Sequence, residues 1–390
     1  MSPSTDPLGT FSPATSQWFR TAFHRPTEAQ EQAWAAITAG ANSLVVAPTG
    51  SGKTLAAFLW ALDRLAGAAP AGDARHRCRV LYISPLKALA MDVERNLRAP
   101  LAGIRQAAAR LGTDIPPITV GMRTGDTPEQ ERRSFARTPP DILVTTPESL
   151  FLLLTSAARD SLRGIDTVIV DEVHALAGGK RGAHLALSLQ RLDALLTGGP
   201  AQRIGLSATV RPIDEVATFL GGVHPVSIVA PESNKQLDIR VEVPVPDMTE
   251  LGTPAPSAEL TGSVTAAPPV NSIWPSVEQR IFELIGTHSS TIAFTNSRRL
   301  AERLTAKLNE LANPVTDPEH VPAHPFPAQA VGQSGTALGV PADGDRVVAR
   351  AHHGSMSREQ RTLVEEELKS GRLSCVVATS SLELGIDMGA

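Results

Sequence analysis

As far as Leu206, short apolar runs alternate with stretches of helical spacing. The runs Ser43–Ala47, Val80–Ile83, Ile118–Met122, Ile142–Thr145, Val168–Val170 and Ile204–Leu206 are brief and rich in β-branched residues. Successive side chains of a strand point to opposite faces, so a run that is apolar throughout is buried on both, as in a parallel sheet covered by helices. Between them, Thr54–Leu65 and Gly182–Leu196 place apolar residues on one helix face. This alternation predicts a doubly wound α/β domain.

The pattern then breaks. Residues 241–345 hold 13 of the chain's 31 prolines, among them Pro244, Pro246, Pro254, Pro256, Pro268 and Pro269, and read as a loop-rich crossing. Beyond it, Ser290–Phe294 reads as a strand. Ser297–Leu311 reads as a helix, with Leu300, Ala301, Leu304, Leu308 and Leu311 at helical spacing. After a Pro-, Gly-, Ala- and Ser-rich stretch at 312–344, the alternation resumes with Val347–Ala351, Ser357–Lys369 and Ser374–Thr379. The expected division is a first α/β domain over 1–232, a Pro-rich crossing over 233–273, and a second α/β domain over 274–390 that carries the loose insertion.

Composition adjusts this picture in three places. The 390 residues are 42% hydrophobic and 19% charged, which excludes wholesale disorder and allows two or three domains. The formal net charge is −4, so nucleic acid can be held only by local groups and not by a global positive field. The two cysteines, Cys78 and Cys375, build neither a disulfide framework nor a zinc site. With no apolar run of membrane-spanning length and no secretory leader, the expectation is a cytoplasmic protein. The preference for Arg over Lys, together with abundant Ala, Gly and Pro, suits a GC-rich bacterial genome.

Three strand ends carry chemistry. Ala47-Pro48-Thr49-Gly50-Ser51-Gly52-Lys53-Thr54 joins an apolar strand to a helix. Small residues there let backbone N–H groups close on phosphate oxygens at a helix N-terminus. Lys53 would reach the β- and γ-phosphates of ATP, and the Thr54 hydroxyl would sit on Mg²⁺. Val168-Ile169-Val170-Asp171-Glu172-Val173-His174 ends a second strand in paired carboxylates. Asp171 is placed to meet the same Mg²⁺, and Glu172 to polarise an attacking water. Ser207-Ala208-Thr209 ends a third, where small hydroxyl residues could relay the state of the γ-phosphate. Ser207 lacks the second glycine of a hydrolase elbow.

In order along the chain, these segments resemble superfamily 2 DEAD/DEAH-type helicases, and among them the large helicase-related (Lhr) branch. Phe23-His24-Arg25-Pro26-Thr27-Glu28-Ala29-Gln30 resembles the Q motif, which implies that Gln30 reads adenine. Ser84-Pro85-Leu86-Lys87-Ala88-Leu89, Arg123-Thr124-Gly125-Asp126-Thr127 and Thr145-Thr146-Pro147-Glu148-Ser149-Leu150 are similar to the nucleic-acid motifs of the family's first domain. Phe294-Thr295-Asn296-Ser297-Arg298, Ala351-His352-His353-Gly354-Ser355 and the string from Ala378 and Thr379 to Asp387 are similar to those of its second.

The resemblance implies two RecA-like P-loop NTPase domains, the second incomplete here. ATP and Mg²⁺ would be the cofactors. Single-stranded DNA or an RNA/DNA hybrid would be the partner, traversed 3′ to 5′, in DNA repair or nucleic-acid metabolism. It assigns the nucleotide to Gln30, Pro48, Thr49, Gly50, Ser51, Gly52, Lys53, Thr54, Gly385 and Asp387, and catalysis to Lys53, Asp171 and Glu172. Coupling falls to His174, Ser207 and Thr209. Nucleic acid falls to Pro85, Lys87, Arg123, Thr124, Gly125, Thr146, Pro147, Asn296, Ser297, Arg298, His353, Gly354 and Thr379. Such contacts go to phosphates and sugars and need no net positive charge.

The family continues past its Gly-Ile-Asp motif to an Arg-rich motif that supplies an arginine finger, whereas this sequence runs only to Ala390. The expectation is therefore a C-terminally shortened member. The alternative to a working helicase is a piece that binds ATP and nucleic acid with little hydrolysis. Remaining candidates have plainer readings. Trp18, Trp34, Trp60 and Trp274 read as core or interface residues and not base stackers. His352 and His353 diverge on a strand with no carboxylate cluster beside them.

Overall fold

A computed structural model describes residues 6–68, 73–85, 87–232, 238–245, 272–313, 346–379 and 382, without the side chains of 87–89, 91, 92, 94, 95, 136 and 358. The chain divides into two compact units, Met1–Lys235 and Gln236–Ala390. Most of the Pro-rich crossing and nearly all of the insertion at 312–344 lie outside the described residues, as do Gly385 and Asp387.

In the first unit, helices α1 (Pro13–Ala22) and α2 (Glu28–Thr38) precede strand β1 (Asn42–Val46). There follow α3 (Lys53–Gly67), β2 (Val80–Ile83), α4 (Lys87–Arg110), β3 (Val120–Arg123), α5 (Glu129–Arg137), β4 (Ile142–Thr145) and α6 (Pro147–Leu154). The unit ends with β5 (Thr167–Val170), α7 (Val173–Ala177), α8 (Lys180–Asp193), β6 (Gln202–Ser207), α9 (Ile213–Gly221) and β7 (Val226–Val229). The seven strands form one sheet in the order β3-β4-β2-β5-β6-β1-β7. Every neighbouring pair is parallel.

The sheet is buried on both faces, as the unbroken apolar runs require. Val45, Tyr82, Val144, Ile169 and Leu206 join the core cluster that holds Trp34, Phe58 and Leu62. Their neighbours Leu44, Val46, Leu81, Leu143, Val168 and Val170 join the opposite cluster with Leu150, Leu189 and Leu220. Trp34 is fully buried, and Trp18 and Trp60 pack against the first cluster, in line with their reading as core residues.

All these strands point the same way, so their C-terminal ends share one rim and their starts share the other. The starting rim is stitched by ion pairs: Arg77 to Asp141 at 2.7 Å, Arg79 to Asp166 at 2.6 Å and Arg64 to Asp166 at 3.0 Å. Strand β7 was not expected. Its Ser227 and Ile228 are exposed, so this edge strand lacks the unbroken apolar run of its neighbours.

The second unit contains α10 (Trp274–Thr287), β8 (Thr291–Phe294), α11 (Arg298–Ala312), β9 (Ala349–His352), α12 (Arg358–Lys369) and β10 (Cys375–Ala378). The three strands form a parallel sheet in the order β8-β10-β9. Leu304 and Leu308 of α11 pack on one face with Cys375 and Val377, while Val364 and Leu368 of α12 pack on the other with Val376 and Ala378. Trp274 lies under the Arg303 guanidinium, 4.9 Å from ring centroid to carbon. No described helix is long and apolar enough to cross a membrane.

Candidate functional site

The site is assembled on the C-terminal rim of the first sheet, where open α/β sheets place their ligands. The loop after β1 is anchored at its start, since the Ala47 N–H donates to the Ser207 carbonyl at 3.1 Å. Gly50 and Gly52 then take φ of 81° and 78°, backbone that L side chains rarely adopt. Gly52 caps α3 with no side-chain acceptor, which leaves the first N–H groups of that helix open to an anion. Lys53 is buried, with its Nζ 3.4 Å from the Pro48 carbonyl. The Ser51 hydroxyl is buried with no hydrogen-bond partner. A buried hydroxyl, a buried ammonium and free helix N–H groups converge here and fit a polyphosphate.

The residues that resemble the Q motif hold this loop from behind. Thr27 and Gln30 form a reciprocal capping box at the start of α2. Thr27 Oγ1 donates to the Ser51 carbonyl at 2.8 Å, and Gln30 Nε2 donates to the Gly52 carbonyl at 3.3 Å. Gln30 is buried, and its Oε1 accepts the Thr27 N–H at 3.0 Å. The structure therefore places this amide against the loop backbone, in addition to any contact it makes with a base.

Strand β5 delivers the carboxylates. The Asp171 N–H extends the ladder to the Ile83 carbonyl at 2.9 Å, which carries its side chain to the rim. Asp171 is buried, and burial pushes its carboxyl up to about 6 against the pull of the Tyr82 hydrogen bond. Tyr82, the chain's single tyrosine, is fully buried and stacked on Phe58, and its hydroxyl donates to Asp171 Oδ2. Glu172 has φ 45°, the one positive φ among the described non-glycine residues. Burial raises its carboxyl too, while Lys53 opposes the rise. A carboxylate with a raised pKa in a cleft is suited to accept a proton from water.

His174 joins this group to β6. The Ala208 N–H donates to His174 Nδ1 at 3.3 Å, and Ser207 Oγ lies 3.1 Å from the same nitrogen. Nδ1 is then an acceptor without a proton. Burial and Lys53 lower the ring's pKa, so the 3.4 Å approach of Glu172 Oε2 is not an ion pair at neutral pH. Thr209 is exposed, outside this group of contacts.

The neighbouring loops carry the first-domain nucleic-acid candidates. Thr124 and Thr146 are buried and hold their own loops. The Thr124 N–H donates to Thr127 Oγ1 at 2.8 Å, and Thr146 Oγ1 donates to Ser149 Oγ at 3.1 Å. Arg132 donates to the carbonyls of Thr127 and Gly125 at 2.7 and 2.8 Å. Burial and the nearby Arg132 lower the pKa of Arg123. Arg181 ties Glu148 to the Pro85 carbonyl and holds the Glu148 carboxyl below its usual range. The Lys87 side chain lies outside the described residues.

In the second unit Asn296, Ser297, Arg298 and Gly354 are exposed. Ser297 caps α11 through the Leu300 N–H, and Arg298 donates to Ser355 Oγ. The two histidines each meet one separate carboxylate and not a cluster: His352 Nε2 lies 3.0 Å from Glu365, and His353 Nε2 lies 2.6 Å from Glu302. Both rings are buried, and the carboxylates come from helices 13 and 51 residues away, a pairing that no local pattern displays. Thr379 donates its N–H to the His352 carbonyl at 3.1 Å. No cluster of metal-ligating side chains occurs among the described residues.

Residues 27–216 match the DEAD/DEAH box helicase family. This span is a DEAD/DEAH box helicase domain. Its first residue is the capping threonine of α2, and its end falls within α9. The chain carrying this helicase domain is 59% identical, over 99% of its length, to the Lhr helicase/probable uracil glycosylase of Mycolicibacterium smegmatis. It is 54% identical, over 97%, to the Lhr helicase/uracil glycosylase of Escherichia coli K12. It spans about a quarter of the length of each, 24% and 25%. Among solved structures, Mycobacterium smegmatis helicase Lhr bound to ssDNA and AMP-PNP superposes with a TM-score of 0.76 at 57% identity, over 99% of this chain and 44% of that one. The chain is thus similar to Lhr helicases over nearly its whole length and is built as two RecA-like α/β units.

Three site residues carry no signal in the sequence. Tyr82 reads as one more apolar strand position. Arg132 and Arg181 read as solvated helix charges. Each is recognisable only once strands and loops distant in sequence are side by side.

Proposed function

We propose that the chain is an ATP-dependent helicase or translocase motor that grips single-stranded DNA and moves 3′ to 5′ along it. One observation carries this reading: the Gly52-capped helix, buried Lys53 and the Asp171–Glu172 pair share a rim with the Arg123, Thr146 and Pro85 loops. The solved Lhr relative, bound to ssDNA and AMP-PNP, supports the same pairing of ligands.

In this reading the open N–H groups of α3 and Ser51 Oγ receive the phosphates of ATP, and Lys53 leaves the Pro48 carbonyl to meet them. Thr54 and Asp171 would hold Mg²⁺, which when bound neutralises charge on the phosphates. Glu172 orients the attacking water and takes its proton. Neutral His174 reports the state of that carboxylate to Ser207. Gln30 binds the adenine edge while bracing Gly52. Asn296, Ser297, Arg298, His353, Gly354 and Thr379 serve the strand-binding side of the second unit, and the assignment of Gly385 and Asp387 to the nucleotide rests on the family resemblance alone. An RNA/DNA hybrid as substrate, a role in DNA repair and a cytoplasmic location belong to the same proposal.

A second reading is a piece that binds ATP and nucleic acid with little turnover. It is favoured by the chain's span, which is about a quarter of the length of these relatives. One experiment separates the two: ATP hydrolysis with and without oligo-dT, with Lys53→Ala as the control. Stimulated turnover that vanishes in the variant supports the motor. Binding of both ligands with negligible turnover supports the second reading, and binding of neither overturns both.

A further inference from the structure

One side chain ties the helix that follows the catalytic carboxylates to the loops proposed to hold nucleic acid. Arg181 lies in the first turn of α8. Its Nε donates to Glu148 Oε1 at 2.6 Å, and its Nη2 donates to Glu148 Oε2 at 3.2 Å and to the Pro85 carbonyl at 2.9 Å. Pro85 follows β2, and Glu148 sits in the first turn of α6 beside Thr146 and Pro147. A single planar guanidinium thus spans two loops that belong to different strands, a geometry a flexible ammonium does not reproduce.

The other end of the link is as direct. Gly182 follows Arg181, and a Cβ built there would lie 2.1 Å from the Leu176 carbonyl oxygen. The first turn of α8 therefore rests on the last turn of α7 with no side chain between them. Helix α7 starts at Val173, directly after Glu172 and its left-handed backbone. From Pro85 and Glu148 to Glu172, the connection runs through hydrogen bonds, close packing and covalent chain without a gap.

Stability alone gives little reason for this arrangement. The Arg181 and Glu148 side chains are 48% and 54% exposed, and exposed ion pairs contribute little to folding. The informative feature is the carbonyl contact, which converts a surface pair into a three-point link.

We propose that Arg181 is a positioning residue that couples occupancy of the nucleic-acid loops to the geometry of the ATP site. This rests on the motor reading, because it needs both ligands to bind. When strand binding moves the Pro85 and Glu148 loops, the guanidinium carries the shift into α8, then α7, then Glu172. Coupling between two binding sites is reciprocal, so each ligand tightens the other by the same factor.

The test uses the 390-residue chain. A fluorescent, non-hydrolysable ATP analogue is titrated with and without saturating oligo-dT, and oligo-dT alone is titrated by anisotropy. The wild-type chain is expected to bind the analogue roughly tenfold more tightly with oligo-dT. Arg181→Ala is expected to bring that ratio close to one while each separate affinity stays within about threefold. Arg181→Lys, which can reach one partner but not span both, is expected to recover part of the ratio. Arg181→Ala with Glu148→Ala is expected to lose no more than Arg181→Ala alone. An unchanged ratio in Arg181→Ala overturns the relay. So does a loss of oligo-dT affinity as large as the loss of coupling, which makes Arg181 a phosphate contact, or a wild-type ratio of one. Weakened analogue binding without oligo-dT overturns it as well, since the damage then lies in the ATP site. A wild-type chain that binds neither ligand overturns the motor reading itself, an outcome distinct from all of these.

Discussion

The hydroxyl of Tyr82 donates to Oδ2 of Asp171, and the Glu172 N–H donates to Oδ1, so both oxygens of this buried carboxylate are engaged from the protein side. Burial and the Asp171 charge push the phenol's own pKa well up, so Tyr82 stays protonated and remains the donor. Tyr82→Phe leaves Oδ2 buried without that donor, at an expected cost of about 1–3 kcal/mol in unfolding free energy. The hydrogen bond also holds the Asp171 carboxyl down. Its loss moves the titration from about 6 to higher pH. Mg²⁺-dependent binding of an ATP analogue should therefore weaken more at pH 6 than at pH 8, which paired titrations measure.

Asp171 also predicts a pH-dependent penalty. Its folded pKa of about 6 lies above the ordinary 3.8. Between those values the folded chain holds more protons than the unfolded one, so this group's contribution to stability falls as pH rises through the window. Above about pH 6 the full penalty stands, of order 1–3 kcal/mol. Asp171→Asn removes the charge, keeps an acceptor for the Glu172 N–H and turns its amide N–H toward the Tyr82 hydroxyl oxygen, which can accept it. Thermal melts should show the variant more stable than its parent at pH 7–8, with the gap closing below about pH 4.

Gly52 is confined by its own backbone and by Gln30. A Cβ there would lie 2.4 Å from Gln30 Nε2, at a φ of 78°. Gly52→Ala is expected to abolish nucleotide binding measured by fluorescence titration. Adding Gln30→Ala removes the clash but leaves the backbone strain, of order 1–3 kcal/mol, and also removes the proposed adenine contact. The double variant should recover part of the affinity and not all of it.

Arg203 tests the fold apart from the chemistry. Its side chain is 2% exposed, pairs with Asp193 at 2.6 Å and donates to the Leu220 carbonyl at 2.8 Å. Arg203→Ala strands a shielded carboxylate and should cost about 3–5 kcal/mol in urea denaturation. At temperatures where the variant remains folded, its affinity for an ATP analogue should be unchanged.

The fold was legible in the sequence wherever burial on both faces forced uninterrupted apolar runs. The four residues Val80–Ile83 and the four of Ile142–Thr145 are strands with the bounds the pattern predicted. Strand β7 was not legible, because an edge strand with exposed Ser227 and Ile228 is not held to that pattern. In the candidate site, the segments with local spacing, Ala47–Thr54 and Asp171–His174, announced themselves. Contacts made across the sheet did not. Tyr82 meets Asp171 from 89 residues away and Arg181 meets Pro85 from 96, through parallel pairing that brings β2, β4 and β5 side by side.

The two rims of the seven-stranded sheet separate the kinds of damage a variant can do. Arg64, Arg77 and Arg79 clasp Asp141 and Asp166 where strands begin, while Lys53, Asp171, Arg123 and Thr146 stand at or beyond strand ends. A lesion at the clasped rim shortens the protein's lifetime without altering how a surviving molecule works. A lesion in a rim residue such as Lys53 or Arg123 is expected to cost function before it costs stability. A fusion partner or tether joined near the clasped rim should accordingly leave the working rim free.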